Sequence, residues 1–330
     1  VPEPAGAGAR SSLRLVVEPD GDGDGVGVGV RLDHCLARRL NVAVAVARRL
    51  IEGGMVRVDG RLLAKGTRLD AGAIVEVAAH PAAGAPIAAD PTVKLVVLYQ
   101  DDQLVAVDKP AGVPSHPLRP GERGTVANGI VARFPSCAGA SGDPREGGLA
   151  HRLDTATSGV LIAARSPDVW PSLRRALGGE DCQKSYLCEV WGAPPAVGRI
   201  DAEIGRRGRR GGVVQVGGGG RQPRAAATEW TVIARRRQTV LLEARLHAGR
   251  PHQVRAHLAA AGFPIVGDAK YDDRYADRYE GPVASRAPTR LHLHASALRF
   301  RHPVTGSLLE ISAPAPPWAE LSGPDPPDLG

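Results

Sequence analysis

Residues 148–159 read GLAHRLDTATSG. They hold one carboxylate, Asp154, two positions after Arg152 and just ahead of the hydroxyls of Thr157 and Ser158 and the closing Gly159. The apolar, strand-like run Val160-Leu161-Ile162-Ala163-Ala164 follows at once. On local chemistry alone, an Asp in such a setting is a turn or cap residue. Its chemical alternative is a nucleophilic, charge-stabilising or proton-accepting carboxylate. Three other clusters fail on spacing. Asp20-Gly21-Asp22-Gly23-Asp24-Gly25 matches the first half of a calcium loop, but Arg31 stands where the bidentate Glu belongs, and no helix-forming sequence precedes it. His292-Leu293-His294 lacks a further suitably spaced metal ligand. Thr157-Ser158-Gly159 is not a nucleophile elbow.

The elements that must position Asp154 fall into two domains, as 330 residues predict. The 41 glycines and 28 prolines point to loops and tails. A net charge of +7 is compatible with a polyanionic partner without establishing one. Cys35, Cys137, Cys182 and Cys188 form no CxxC pair and read as free thiols in a reducing cytosol. Lacking an apolar run of about 18 residues and a charged-then-apolar leader, the chain reads as soluble and cytoplasmic, without a membrane partner.

Along the chain, residues 1–30 read as a flexible segment with one strand at Leu13-Arg14-Leu15-Val16-Val17. Residues 31–78 form a compact α/β unit. Leu32, Leu36 and Leu40 recur at helical spacing, and a second helix with Ala47, Leu50 and Ile51 inside stops at Gly53-Gly54. Val56 and Val58 alternate before a tight Asp59-Gly60 turn, and Ile74 to Val77 closes the unit as a strand. Nine basic residues against five acidic ones give this stretch +4 of the chain's +7. Residues 79–92 read as a linker, 93–318 as a larger domain of α+β alternation, and 319–330 as a frayed tail. An insert from Arg206 to Arg224, with Gly217 to Gly220 and six arginines, reads as a mobile loop able to touch phosphates.

Five segments in register resemble the RluA-type RNA pseudouridine synthases. HRLDTATSG resembles that family's HRLDxxTSG signature, and Asp108 to Pro117 its NKPaGxxvHp loop. Lys184 to Gly192 resembles the KxYxaxvxG strand, Gly249 to Asp268 the GRtHQIRvHl…GhPivGD stretch, and Leu293 to Pro303 the closing LHA…F.HP run. The 31–78 unit resembles the S4-like RNA-binding domain. The resemblance implies an α+β fold, with a mixed or antiparallel sheet in the catalytic domain.

It also implies an activity: isomerisation of uridine in RNA, most naturally large-subunit ribosomal RNA, with transfer RNA the alternative. The reaction breaks the N-glycosidic bond, turns the base and joins its C5 to the ribose. It needs a carboxylate and a base but no redox cofactor and no metal. Asp154 is the implied catalyst, attacking ribose C1′ or the uracil ring or abstracting a proton. Arg255 is its implied counter-ion, on a helix running from Pro251 to Gly262 and anchored by Val254 and Leu258. Tyr186 would stack on the flipped base or take the C5 proton, and Arg152 would enter the RNA stack. Arg250 and Lys109 read as phosphate or loop-positioning contacts. Arg38, Arg39, Arg48 and Arg49 would grip phosphates from the S4-like unit.

Asp108, Ala248 and Pro251 depart from the usual Asn, Thr and hydroxyl residue of the family's motifs. A monomer is the simpler expectation. The competing readings are a non-catalytic ribosome-associated RNA-binding protein and a metal-dependent nucleobase hydrolase or deaminase.

Overall fold

The computed structural model describes residues 13–17, 29–40, 44–77, 87–119, 121–206, 213–218, 220–246, 249–273 and 290–320. The chain divides into two compact units, Val1–Ala85 and Pro86–Gly330.

In the first unit, helices α1 (Leu32–Arg39) and α2 (Val44–Glu52) accompany a small antiparallel sheet. Its strands are β1 (Leu13–Val16), β2 (Val56–Val58) and β3 (Ile74–Val77), in the order β1-β3-β2. Leu32, Leu36, Ala47, Ile51, Val56, Val58 and Val75 are buried together, as their spacing predicts; Leu40 and Leu50 lie at the margin of that core. The strand Leu13–Val16 pairs with β3 in register Leu13↔Val77 to Val16↔Ile74. The unit therefore includes part of the segment read as flexible, because β2 pairs with only one edge of β3 and the other edge is open to a second ladder. The Asp20–Gly25 stretch lies outside the described residues.

The second unit is built on a nine-stranded mixed sheet. Its strands are β4 (Val96–Gln100), β5 (Leu104–Lys109), β6 (Ser158–Ala164), β7 (Gln183–Trp191), β8 (Val197–Asp201), β12 (Ala227–Arg235), β13 (Thr239–Leu246), β14 (Leu293–Arg301) and β15 (Leu308–Ser312). Between β8 and β12 run three short strands, β9 (Ile204–Arg206), β10 (Val214–Val216) and β11 (Arg221–Arg224). The order is β4-β5-β6-β14-β7-β13-β12-β8, with β15 beside β14. Every pairing is antiparallel except β6 with β14, which share only Ser158↔His294 and Gly159↔Ala295. Gly159 has φ 111°, and a Cβ there would lie 2.1 Å from the Ala295 carbonyl oxygen, so only glycine lets the two strands meet. Helices α3 (Val126–Arg133), α4 (Trp170–Ala176) and α5 (Gln253–Ala260) pack on this sheet.

Two sequence-based boundaries move, and one loop assignment changes. Ile87 is buried against β5 and α3, and Asp90 accepts hydrogen bonds from Thr92 and from the Gly124 amide, so the larger unit begins inside the stretch read as a linker. Ala319 is buried and the Glu320 carbonyl accepts from Arg236, which carries the fold past residue 318. In the Arg206–Arg224 insert, β10 and β11 flank β9 in an antiparallel sheet where a mobile loop was expected. Gly205 and Gly220 explain it: a Cβ on either would lie within 3 Å of the other's backbone, so glycines that look like loop residues instead permit close strand approach.

Candidate active site

Asp154 lies on a tight turn just before β6, closed by the Thr157 N–H donating to the Asp154 carbonyl at 3.0 Å. The turn is clamped from the loop after β5. Ser115 Oγ donates to the Leu153 carbonyl at 2.7 Å and accepts from the Leu153 N–H at 3.1 Å. The Gly112 N–H donates to the Thr155 carbonyl at 2.8 Å. Lys109 Nζ donates to the carbonyls of Pro110 and Thr155, each at 3.0 Å. His151, at the head of the signature, accepts from the Ile162 N–H at 3.3 Å; burial pushes its pKa down to about 3 and keeps it neutral for that role. The backbone on both sides of Asp154 is thus fixed by the family-like loop Asp108–Pro117.

Lys109 corrects the expectation of a phosphate contact. It is 0% exposed, too deep to meet an RNA backbone, and it serves only the loop-positioning role. Burial lowers its pKa to about 8, against the raising fields of Asp154 and Asp108. Below pH 8 the amine is charged in folded and unfolded chains alike, and the burial penalty is fully present. Between pH 8 and the unfolded value of 10.5 the unfolded chain holds more protons, so stability rises with pH. The expected gain is on the order of 3 kcal/mol. A neutral amine still has the two N–H groups its two carbonyl partners need. Denaturant midpoints of wild type and Lys109→Met across that window test this: the wild type should gain on the variant, and parallel curves would rule out the titration.

Arg255 joins Asp154 across 101 positions of chain. Its Nη1 donates to Asp154 Oδ2 at 2.7 Å, while Nε and Nη2 form a two-pronged bond to Asp268 at 2.8 and 2.7 Å. Its side chain is 7% exposed, that of Asp268 0%, and that of Asp154 28%. The buried pair therefore supports a carboxylate that still reaches solvent. Burial opposes the guanidinium charge, but Asp268 and Asp154 more than offset it and hold the pKa above its ordinary value. Helix α5 is anchored by Val254 and Leu258, as expected. The Gln253 side chain also donates to the Ala227 carbonyl at 2.9 Å, and His257 Nδ1 lies 2.8 Å from Thr228 Oγ1.

The helix begins at Gln253 rather than Pro251, because His252, its N-cap, takes the left-handed φ of 56°. This turns the His252 ring toward the site, with Nε2 3.5 Å from Asp154 Oδ1 and Nδ1 2.8 Å from the Tyr271 hydroxyl. The Tyr271 ring lies under the Arg255 guanidinium at 5.2 Å.

Tyr186 sits on β7 opposite Ala295 of β14 and Ala244 of β13, beside the parallel seam. Burial first, and then Asp154, push its pKa upward. Both effects favour the neutral phenol. Stacking on a base needs no change in that state, whereas acting as a base first requires a phenolate, which burial and the field of Asp154 oppose. Arg152 is exposed two residues before Asp154, and Arg250 donates to the Ala225 carbonyl at 3.3 Å.

In the small unit, Arg38 and Arg39 are exposed at the C-terminal end of α1. Arg48 is already engaged: its Nε donates at 2.7 Å to Asp33, a fully buried carboxylate that Arg31 also binds. The Arg49 side chain lies outside the described residues. His292 and His294 do not converge, one bonding Glu189 and the other Ser158. All four cysteines are free and buried.

Asp268, Ser115, His252 and Tyr271 were given no role from sequence. Asp268 closes the GFPIVGD stretch, and His252 stands three residues before Arg255, so position within a motif was the available signal.

Residues 103–260 match the family model of the RNA pseudouridylate synthases. The chain is 36% identical over 292 residues to an uncharacterized RNA pseudouridine synthase of Mycobacterium bovis, covering 87% of this chain and 91% of that protein. The chain belongs to the RluA-type RNA pseudouridine synthases. These are isomerases. The synthase is also 38% identical over 233 residues to ribosomal large subunit pseudouridine synthase D of Xanthomonas campestris, covering 69% of this chain and 68% of that one. Among solved structures, human RNA pseudouridylate synthase domain containing 1 superposes with a TM-score of 0.53 at 26% identity, over 69% of this chain and 87% of that chain. The turn carrying Asp154, the clamp at Lys109 and the counter-ion Arg255 all lie within the matched residues.

Proposed function

We propose that this synthase isomerises uridines in large-subunit ribosomal RNA, with Asp154 as the catalytic carboxylate. The observation that carries the reading is the Asp154–Arg255–Asp268 chain of charge-assisted bonds beside Tyr186. Arg255 keeps Asp154 oriented at the edge of a buried site. Asp268 supplies the second carboxylate that makes a buried guanidinium tolerable. Tyr186 offers a ring on which an extruded base can stack, and exposed Arg152 stands where a side chain could fill the vacated place in the RNA stack. The choice of ribosomal RNA follows the relatives named large subunit synthase D, which resemble this chain over about two thirds of its length or more.

The test is tritium release from RNA labelled at uridine C5. Release is expected from large-subunit ribosomal RNA, with pseudouridine mapped at discrete positions. Release from transfer RNA alone would shift the substrate, and none from either would favour a non-catalytic RNA-binding protein.

The small unit is read as an S4-like RNA grip. Its exposed Arg38 and Arg39 stand at the end of one short helix, a place where two phosphates of one strand can be met together. Changing both to Gln should weaken RNA binding and reduce the slope of log affinity against log salt by about two. The rate at saturating RNA should be spared. A salt titration with an unchanged slope would remove these residues from the RNA path.

A further inference from the structure

His252 is a non-glycine residue in the left-handed region, a conformation that is uncommon for any side chain with a Cβ. Strain of this kind persists where surrounding contacts hold it. Here the contacts are a short series of directed hydrogen bonds. The Val214 N–H, on β10, donates to the Tyr271 hydroxyl at 2.8 Å. That hydroxyl accepts from the backbone and still has its own proton to give, and His252 Nδ1 lies 2.8 Å away. With the hydroxyl as the donor, Nδ1 is the lone-pair nitrogen and the imidazole proton sits on Nε2, which faces Asp154 Oδ1 at 3.5 Å. The other carboxylate oxygen is held by Arg255.

Resting on the reading of Asp154 as the catalytic carboxylate, we propose that Tyr271 is a positioning residue. It fixes the His252 tautomer so that an Nε2–H is aimed at the second oxygen of Asp154. Between them, Arg255 and His252 address both oxygens and set the plane of the carboxylate. The 3.5 Å separation is longer than a hydrogen bond, the kind of contact that closes when substrate seals a site. The surroundings favour the neutral ring: burial lowers the His252 pKa and Arg255 and Lys270 add to that, while Asp154 and Asp268 oppose it. The donor originates in β10, so the arginine-flanked insert is tied to the reacting carboxylate through two side chains.

Tyr271→Phe tests this cleanly, because it keeps the ring under Arg255 and against His252 and removes only the hydroxyl. Two readouts are needed. In long-range proton–nitrogen spectra of histidine-labelled protein, His252 of the wild type should be in the Nε2–H form, and Tyr271→Phe should populate the Nδ1–H form. The His252→Gly variant assigns the signal and suits the left-handed backbone, so a folding defect does not confuse the result. In tritium release, Tyr271→Phe should lower kcat about tenfold to a hundredfold with KM for ribosomal RNA unchanged. Its acid limb should move to higher pH, since losing the donor lets His252 ionise more readily and pair with Asp154.

His252→Gln, which keeps an N–H at similar reach, should recover much of the rate that His252→Gly loses. A wild-type Nδ1–H tautomer, or unchanged kcat in Tyr271→Phe, would overturn the proposal. An Nε2–H tautomer in a wild type that releases no tritium from any RNA would instead overturn the catalytic reading of Asp154.

Discussion

Asp154→Asn is expected to abolish pseudouridine formation, lowering the rate by more than about 10⁴-fold, while RNA affinity stays within twofold. The substitution is nearly isosteric. Its amide oxygen can still accept from Arg255 Nη1, so the 2.7 Å contact and the turn around it survive. What disappears is the negative charge and the nucleophilic or proton-accepting oxygen. A loss of that size corresponds to roughly 5–6 kcal/mol of transition-state stabilisation, the range seen when a covalent or charge-stabilising group is removed rather than misplaced.

The fold should not suffer. Asp154, Arg255 and Asp268 together carry one net negative charge, and the variant leaves a balanced Arg255–Asp268 pair. Melting temperature should therefore hold or rise slightly. Binding should hold because Asp154 is the only changed group and is itself anionic, so its loss removes a repulsion from phosphate rather than a contact. Wild-type turnover by Asp154→Asn in single-turnover tritium release would sink the assignment. A large drop in melting temperature would recast Asp154 as a structural turn residue.

That structural alternative was the bland reading of the sequence, and it is half right. Asp154 does sit on a tight turn, but the turn's hydrogen bonds use its backbone carbonyl and its neighbours' backbones, which leaves the side chain free for Arg255. The pairing of Asp154 with Arg255 was readable because each stands in a distinctive motif, though no local pattern could bring together residues 101 apart. The depth of Lys109 was not readable. A lysine beside a Pro-Gly loop looks like a surface residue, and only the closure of that loop over residues 153–155 buries it. The start of α5 is not legible in the sequence, because Pro251 is a favoured first helical residue, whereas the left-handed His252 is held by contacts with Asp154 and Tyr271 from distant segments. The parallel seam of β6 and β14 was equally hidden. It rests on two residue pairs more than 130 positions apart and on the absence of a Cβ at Gly159.

Asp268 makes a harder demand on the fold than Asp154 does, and this sets the outcome expected for Arg255→Met. Removing the guanidinium strands a fully buried carboxylate, with the Lys270 N–H as its remaining donor among the bonds described. Breaking a buried pair in this way costs about 3–5 kcal/mol, enough to lower the melting temperature by roughly 6–20 °C in a unit of this size. Activity should fall by about 10²–10³-fold as well, since Asp154 loses the donor that orients it.

Arg255→Lys separates the two losses. An ammonium keeps the charge beside Asp268 and recovers much of the stability, but a point donor on a flexible stem cannot hold Asp268 with two prongs and reach Asp154 with a third. Its melting temperature should return most of the way to wild type while kcat stays low. Asp268→Asn should show the complementary pattern: Arg255 keeps its bond to Asp154 but loses the fork that aims it, so kcat falls although Asp154, Tyr186 and His252 are untouched. Full activity in Arg255→Lys would mean that only charge is required at this position. Full activity in Asp268→Asn would mean that Arg255 needs no second carboxylate to serve Asp154.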